Sequence, residues 1–170
     1  NDFRAAERTF QLVTQVIGRT GRGEVDGHAY IQTYSPDHFA LTHALEENYL
    51  GFYNEEILFR RAMIYPPFCH ILQLITFSEH EESGMKFLNK CLKMLEHYGQ
   101  NNEQLGDIIV LGPAKASIGK VKGKYRHRLL IKGSSYRQLT NIRKELYNSI
   151  DSKIKNELQM HVDINPMIMY

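Results

Sequence analysis

The sequence predicts an α+β chain in two parts, the tail of a larger α/β domain followed by a self-contained β-α-β-β-α-β domain. Three observations carry this. The prolines of "YPPF" (65–68) must break any helix that reaches them. Beyond them, near-continuous or alternating apolar runs are interleaved with two stretches of helical spacing. Before them stands one strand-like run among helical ones, which needs a sheet to join because an unpaired strand leaves its backbone groups unsatisfied.

In the first part, residues 1–62, Phe10, Val13 and Ile17 recur at helical spacing, with Arg8, Gln11, Gln15, Arg19 and Arg22 as a polar stripe on another face. Gly18, Gly21 and Gly23 are expected to loosen and end that helix. "HAYIQTY" (28–34) has the β-branched and aromatic content of a strand. A helix is expected next, with Ser35 as its cap, Pro36 at its first position and Phe39, Leu41 and Leu45 as apolar contacts. "NEEILFRRAMI" reads as another helix.

In the second part, residues 63–170, "HILQLITF" (70–77) is nearly continuous in apolar residues, as a central strand is. Ser78 and Glu81 have capping-box spacing before a helix whose stripe is Met85, Leu88, Leu92 and Leu95. "DIIVLG" is a short strand, and "ASIGKVK" and "KYRHRLLIK" are two arms meeting at Gly123. Ser134 or Ser135 caps a second helix with the stripe Leu139, Ile142, Leu146, Ile150 and Ile154. "MHVDI" alternates and closes the order, which is that of a ferredoxin-like, or split βαβ, domain.

Composition narrows the function classes. No 18-residue apolar run is present, so no membrane-spanning helix is expected. The start has neither an initiator Met nor a signal-peptide pattern, which points to a cytoplasmic chain cut from a longer protein. Cys69 and Cys91 lack ligand spacing and sit among apolar residues, as reduced core cysteines do. His70, His80, His97 and His161 are scattered, and no metal site is expected.

The net charge of +2 hides a strong asymmetry. From Pro113 to Lys132 there are seven cations (Lys115, Lys120, Lys122, Lys124, Arg126, Arg128, Lys132) and no acid, which leaves the rest of the chain about five charges negative. A concentrated basic segment on an acidic molecule is an electrostatic footprint for a polyanion. In an extended strand Lys124, Arg126, Arg128 and Lys132 share one face, with Tyr125, His127, Leu129 and Ile131 on the other. A turn at Gly123 would gather Lys120 and Lys122 with them, a geometry suited to a nucleic-acid backbone, and Tyr125 and His127 would add stacking if their side is open. A solvated basic hairpin fits the same charges. An RNA-recognition module shares the element order, but its third-strand aromatics two apart after a Lys/Arg-Gly pair are missing after Lys122-Gly123.

"QVIGRTGRG" (15–23) carries the other signal. Gln15 and Arg19 are four residues apart and so share a helix face, and Arg22 extends the row. Guanidinium groups so placed suit a triphosphate, whose oxygens match their planar fork. A solvated helix end fits the spacing too. The phosphate-cradling pattern GxxxxGK[ST] is absent.

"QVIGRTGRG" resembles motif VI of superfamily 2 helicases. Together "DFRAAERTFQLVTQVIGRTGRG", "IQTYSPDH", "FYNEEILFRRAMIYPPF", "LGPAKASIGKVKGKYRHRLLIKG" and "VDINP" resemble, in order and over essentially the whole chain, the C-terminal part of the PriA family of bacterial replication-restart helicases. The resemblance implies that residues 1–62 end the second RecA-like helicase lobe. It implies that Arg19 and Arg22 reach the phosphates of ATP across an interlobe cleft in arginine-finger fashion, with Gln15 sensing nucleotide state and Gly18 and Gly21 permitting close approach. The Walker A lysine, the residues for Mg²⁺ and a cysteine-rich zinc-binding insertion would all lie upstream. This chain alone is then expected neither to hydrolyse ATP nor to bind zinc.

The resemblance further implies an ATP-dependent 3′–5′ DNA helicase that recognises stalled or branched forks and initiates primosome assembly. Branched and single-stranded DNA would meet Lys120, Lys122, Lys124, Tyr125, Arg126 and Arg128. Protein partners would be single-strand DNA-binding protein, other primosome proteins and helicase-loading proteins. Arg137, near the start of the second helix, is in the part of the domain near which the resemblance implies that an acidic tail of single-strand DNA-binding protein is held, with no contact matched to this residue. Asp163 of "VDINP" is expected to cap or turn the chain before Pro166. The alternative is a stand-alone protein-docking module with a basic hairpin.

Overall fold

The structure, a computed structural model, describes residues 2–20, 28–101, 108–148 and 158–169, apart from the side chains of 98–101. The chain divides into two compact units, Asn1–Met63 and Ile64–Tyr170.

The first unit is helical. Helix α1 (Ala5–Thr20) buries Phe10 and Val13 against Ala40, Leu41 and Ala44 of α2 (Phe39–Leu45) and Phe52 of α3 (Tyr49–Ala62). Phe10 and Phe52 stack with ring centroids 4.3 Å apart and planes 16° from parallel. Five expectations need correction here. Helix α1 runs through Gly18 rather than loosening at it, because a single glycine costs a helix only about 1 kcal/mol. Residues 28–34 form no strand, since no second strand among the described residues of this unit can pair with them. The cap of α2 is His38, whose Nδ1 accepts from the Ala40 N–H at 3.2 Å, and Ser35 instead closes a turn by accepting from the His38 N–H. Helix α3 begins at Tyr49, with Asn48 Oδ1 accepting from the Gly51 N–H at 2.9 Å. Leu45 points to solvent, and Ala40 and Ala44 make the contacts expected of it.

The second unit is a four-stranded antiparallel sheet with two helices on one face. The strands are β1 (His70–Ser78), β2 (Ile109–Val121), β3 (Lys124–Gly133) and β4 (Gln159–Ile164), in the order β2-β3-β1-β4. Strand β1 lies between β3 and β4 and is almost entirely buried, as its apolar run predicts. Helices α4 (Glu81–Asn101) and α5 (Tyr136–Asn148) cover the face that carries Leu72, Leu74, Leu129 and Ile131. Each such side chain taken from water contributes about 1.5–3 kcal/mol, so this layer holds the domain together.

The buried stripe of α4 is Phe87, Leu88, Cys91 and Leu95, while Met85 and Leu92 flank it half-buried. No capping box forms: Ser78 Oγ accepts from the His80 N–H at 3.2 Å, and Glu81 pairs with Lys115 at 2.5 Å. In α5 the cap is Ser135, whose Oγ accepts from the Gln138 N–H at 3.2 Å, and Leu139, Ile142 and Leu146 are buried. Ile150 and Ile154 lie outside the described residues. "DIIVLG" and "ASIGKVK" are parts of one long strand, β2, whose register shifts between Leu111 and Ala114 and between Lys115 and Lys120. Such bulges bend a strand and raise its twist.

Before Pro166 the turning residue is Asn165, not Asp163. Its Oδ1 accepts from the Ile71 N–H at 3.0 Å and its backbone N–H donates to the Ile71 carbonyl at 2.7 Å, with φ at 54°. Asn tolerates that left-handed conformation and extends the β1–β4 pairing with its side chain.

Candidate nucleic-acid interface

The hairpin forms where Gly123 predicts. Val121 pairs with Lys124 and Lys120 with Tyr125, so Lys122 and Gly123 alone make the turn. Both have positive φ, 48° and 80°, the mark of the mirror-image turn whose twist matches antiparallel strands. Asn or Gly suits the first position. Lys122 occupies it in the strained left-handed region, which costs an ordinary residue roughly 1–2 kcal/mol. The result is an ammonium at the outermost point of the hairpin.

The seven cations divide by surroundings. Lys115 pairs with Glu81, which raises the lysine pKa and lowers that of the carboxyl. Lys132 is buried over the Tyr65 ring, its Nζ 3.7 Å from the centroid, and burial lowers its pKa. Lys120 lies over the Tyr125 ring at 4.2 Å yet stays exposed, which leaves Tyr125 half-buried beneath a cation. Lys122 and Lys124 make no ion pair among the described residues, and Arg128 is half-exposed. These four cations lie within one turn and its flanking strands.

Arg126 departs from the expected exposed row. It is 5% exposed, with its guanidinium 5.4 Å from the Phe77 ring centroid, and lines a groove on the helix-free face of the sheet. Period-2 alternation places it correctly beside Lys124 and Arg128, but Phe77, its pairing partner on β1, and the bulged part of β2 cover it. The opposite side of β3 is closed at His127, which is 1% exposed beneath α4, so the stacking foreseen for it is not available. Burial also lowers the His127 pKa. Phe77 is the residue that sequence reasoning missed. Its signal was present, because alternation along "HILQLITF" sets Ile71, Gln73, Ile75 and Phe77 on one face, and antiparallel pairing aligns that face with Arg126 and Arg128.

In the first unit Gln15 and Arg19 are exposed on α1, with Arg19 in the last turn, and a Cβ added at Gly18 would meet open space. Gln15 lines a cavity of 420 Å³ with Phe10, Tyr49, Tyr53 and Arg60. Gly21, Arg22 and Gly23 lie outside the described residues. Arg137 is exposed in the first turn of α5. Cys69 and Cys91 are buried free thiols, and burial pushes Cys91 up to about 11. Among the described residues no cluster of His, Cys, Asp or Glu could hold a metal ion, and no helix is long and apolar enough to cross a membrane.

Comparison with known proteins matches residues 61–167 to the family described as "Primosomal protein N C-terminal domain". The replication restart protein PriA of Bacillus subtilis is 36% identical over 169 residues, covering 99% of this chain and 20% of its own length. PriA of Thermotoga maritima is 40% identical over 131 residues, 77% of this chain and 16% of its own. PriA of Borreliella burgdorferi is 32% identical over 164 residues, 96% of this chain and 24% of its own. This chain therefore spans about a fifth of the length of these relatives.

Proposed function

The chain belongs to the PriA family, of which it is a C-terminal part, and from that premise we propose that it binds forked DNA through the β2–β3 hairpin on behalf of a longer replication-restart helicase. One observation carries this reading: Lys120, Lys122, Lys124 and Arg128 surround a two-residue turn, with Lys122 held in a conformation that Asn or Gly would adopt at lower cost. Backbone strain tends to cluster at binding sites, so its retention at an exposed cation supports a binding tip over a merely solvated hairpin. Each phosphate neutralised there releases counterions, so affinity falls steeply with salt.

In the longer protein, residues 1–62 close the second, RecA-like lobe and residues 63–170 form the ferredoxin-like DNA- and partner-binding domain. The strand order β2-β3-β1-β4 with both helices on one face supports the latter assignment. Arg19 and Arg22 contact the phosphates of ATP held with Mg²⁺ by an upstream lobe, with Gln15 beside them and Gly18 and Gly21 allowing close approach. Zinc belongs to an upstream insertion. Single-strand DNA-binding protein, primosome proteins and helicase loaders are the protein partners, and the setting is the bacterial cytoplasm at replication forks. Without the upstream lobe the chain binds DNA and does not hydrolyse ATP.

Fluorescence anisotropy with a labelled forked duplex at 50 and 200 mM salt tests the binding reading. With four phosphate contacts, affinity should fall by roughly two orders of magnitude across that range, and Lys122→Glu with Lys124→Glu should weaken low-salt binding at least tenfold. No binding at low salt, or binding indifferent to the double variant, would sink it.

A further inference from the structure

The helices cover one face of the sheet, yet the other face is not bare. Ile71, Gln73, Ile75 and Leu130 are all buried on it. The chain closes part of this face with its own C-terminal residues, where Gln73 Nε2 donates to the Ile168 carbonyl at 3.4 Å. What remains is a groove of 730 Å³, within the range of about 300–1,000 Å³ typical of small-ligand sites. Its rims are apolar and project into solvent: Ile118 of the β2 bulge, 61% exposed, and Met167 of the C-terminal segment, 76% exposed. Its floor carries Phe77 and His161, with ring centroids 5.1 Å apart, and the Arg126 guanidinium over the Phe77 ring. Asp163 also lines it, and its carboxylate makes no hydrogen bond or ion pair among the described residues.

We propose that this groove takes an unpaired nucleobase from a strand whose phosphates are held by the hairpin. This deepens the DNA-binding reading and rests on it. Val121 and Arg126 line the groove and belong to the two arms of the hairpin, so the cations at the turn continue directly into it. A polyanion tracked by Lys122 and Lys124 is thereby led to a slot with apolar sides, an aromatic floor and a cationic corner. Those are the elements by which proteins hold single strands: a basic path for the backbone and π-faces or guanidinium planes for the bases. A fully paired duplex cannot use the slot, because its bases are stacked inside the helix.

Asp163 adds a preference. A carboxylate accepts hydrogen bonds from an exocyclic amino group such as the cytosine N4 amine, and thymine has no such group. The groove therefore favours cytosine over thymine.

The test uses the full 170-residue chain with three labelled probes: a single-stranded oligo-dC, a single-stranded oligo-dT of equal length and a blunt duplex. Ile118→Asp and Met167→Asp alter exposed positions and should preserve the fold, which circular dichroism checks. Each should weaken single-strand binding roughly tenfold or more while leaving duplex affinity within twofold. Lys122→Glu with Lys124→Glu should weaken all three probes. Asp163→Ala should abolish the preference for oligo-dC. Rim variants that leave single-strand affinity unchanged, while the charge reversal still weakens every probe, would overturn the base site, leave the hairpin reading standing and point to a protein as occupant. Absence of binding to any probe by the unaltered chain would instead remove the DNA reading, and this inference with it.

Discussion

Gly84 of α4 lies against His127 of β3 so closely that a Cβ built on the glycine would stand 2.7 Å from His127 Nδ1 and 2.7 Å from Thr76 Oγ1. Both neighbours are essentially inaccessible to solvent, so neither has room to give way. This contact seats α4 on the sheet.

Gly84→Ala should therefore destabilise the domain. Alanine gains up to about 1 kcal/mol of helix propensity, but forcing a methyl into a filled contact costs about 1–3 kcal/mol. A net loss of about 1 kcal/mol is expected, and more for Gly84→Val, read as a lower urea midpoint with an unchanged slope. An unchanged or higher midpoint for the alanine variant would mean that the helix shifts at no cost.

The burial of His127 makes stability depend on pH. Burial lowers its pKa, Glu81 opposes the shift, and Lys115 adds to it. Below the unfolded value of about 6.5 the unfolded chain takes up a proton that the folded chain resists, so this contribution is complete above pH 6.5 and is lost as pH falls below it. Urea unfolding at pH 7.5 and 5.5 should show a smaller drop for His127→Gln than for the unaltered chain. Equal drops would assign the pH dependence to other groups.

Arg60 bridges two helices, donating to Glu7 of α1 at 2.8 Å and to Glu56 of α3 at 2.7 Å, and Glu56 is 6% exposed. Burial lowers the arginine pKa, and the two carboxylates outweigh it and raise it. Removing the cation leaves a buried carboxylate without its counter-charge, so Arg60→Met should cost about 3 kcal/mol by thermal or urea unfolding. Adding Glu56→Gln should recover part of that loss. A double variant no more stable than Arg60→Met would show that packing, not charge, sets the cost.

In the longer protein, Arg19→Ala should lower DNA-stimulated ATP hydrolysis by on the order of a thousandfold, with affinity for forked DNA kept within about twofold. Steady-state ATPase assays and anisotropy on the same preparation measure both. Normal turnover would refute the phosphate-contacting role proposed for this guanidinium.

Much of the second unit was legible because its elements are locally encoded. The turn at Gly123 needs positive φ, and a strand that reads apolar at nearly every position needs cover on both faces, as β1 has. The first unit was less legible. "HAYIQTY" has strand composition, but composition supplies no partner, and a strand requires one to satisfy its backbone. The caps at His38 and Asn48 were hidden for a related reason: Ser35-Pro36 is the stronger textual signal, and the helices begin where the packing of Phe39 and Phe52 on Phe10 sets them.

In the second unit the sequence by itself determined the β-α-β-β-α-β order, the position of the hairpin turn and the concentration of cations around it. Periodicity also determined which residues share a face of β3. Only the tertiary structure decided what covers each face: α4 over His127, and Phe77 with the β2 bulge around Arg126. It also decided that Asn165 turns the chain while Asp163 faces the groove. The physical reason is that side-chain alternation is a property of one strand, whereas burial is a property of whatever distant segment packs against it.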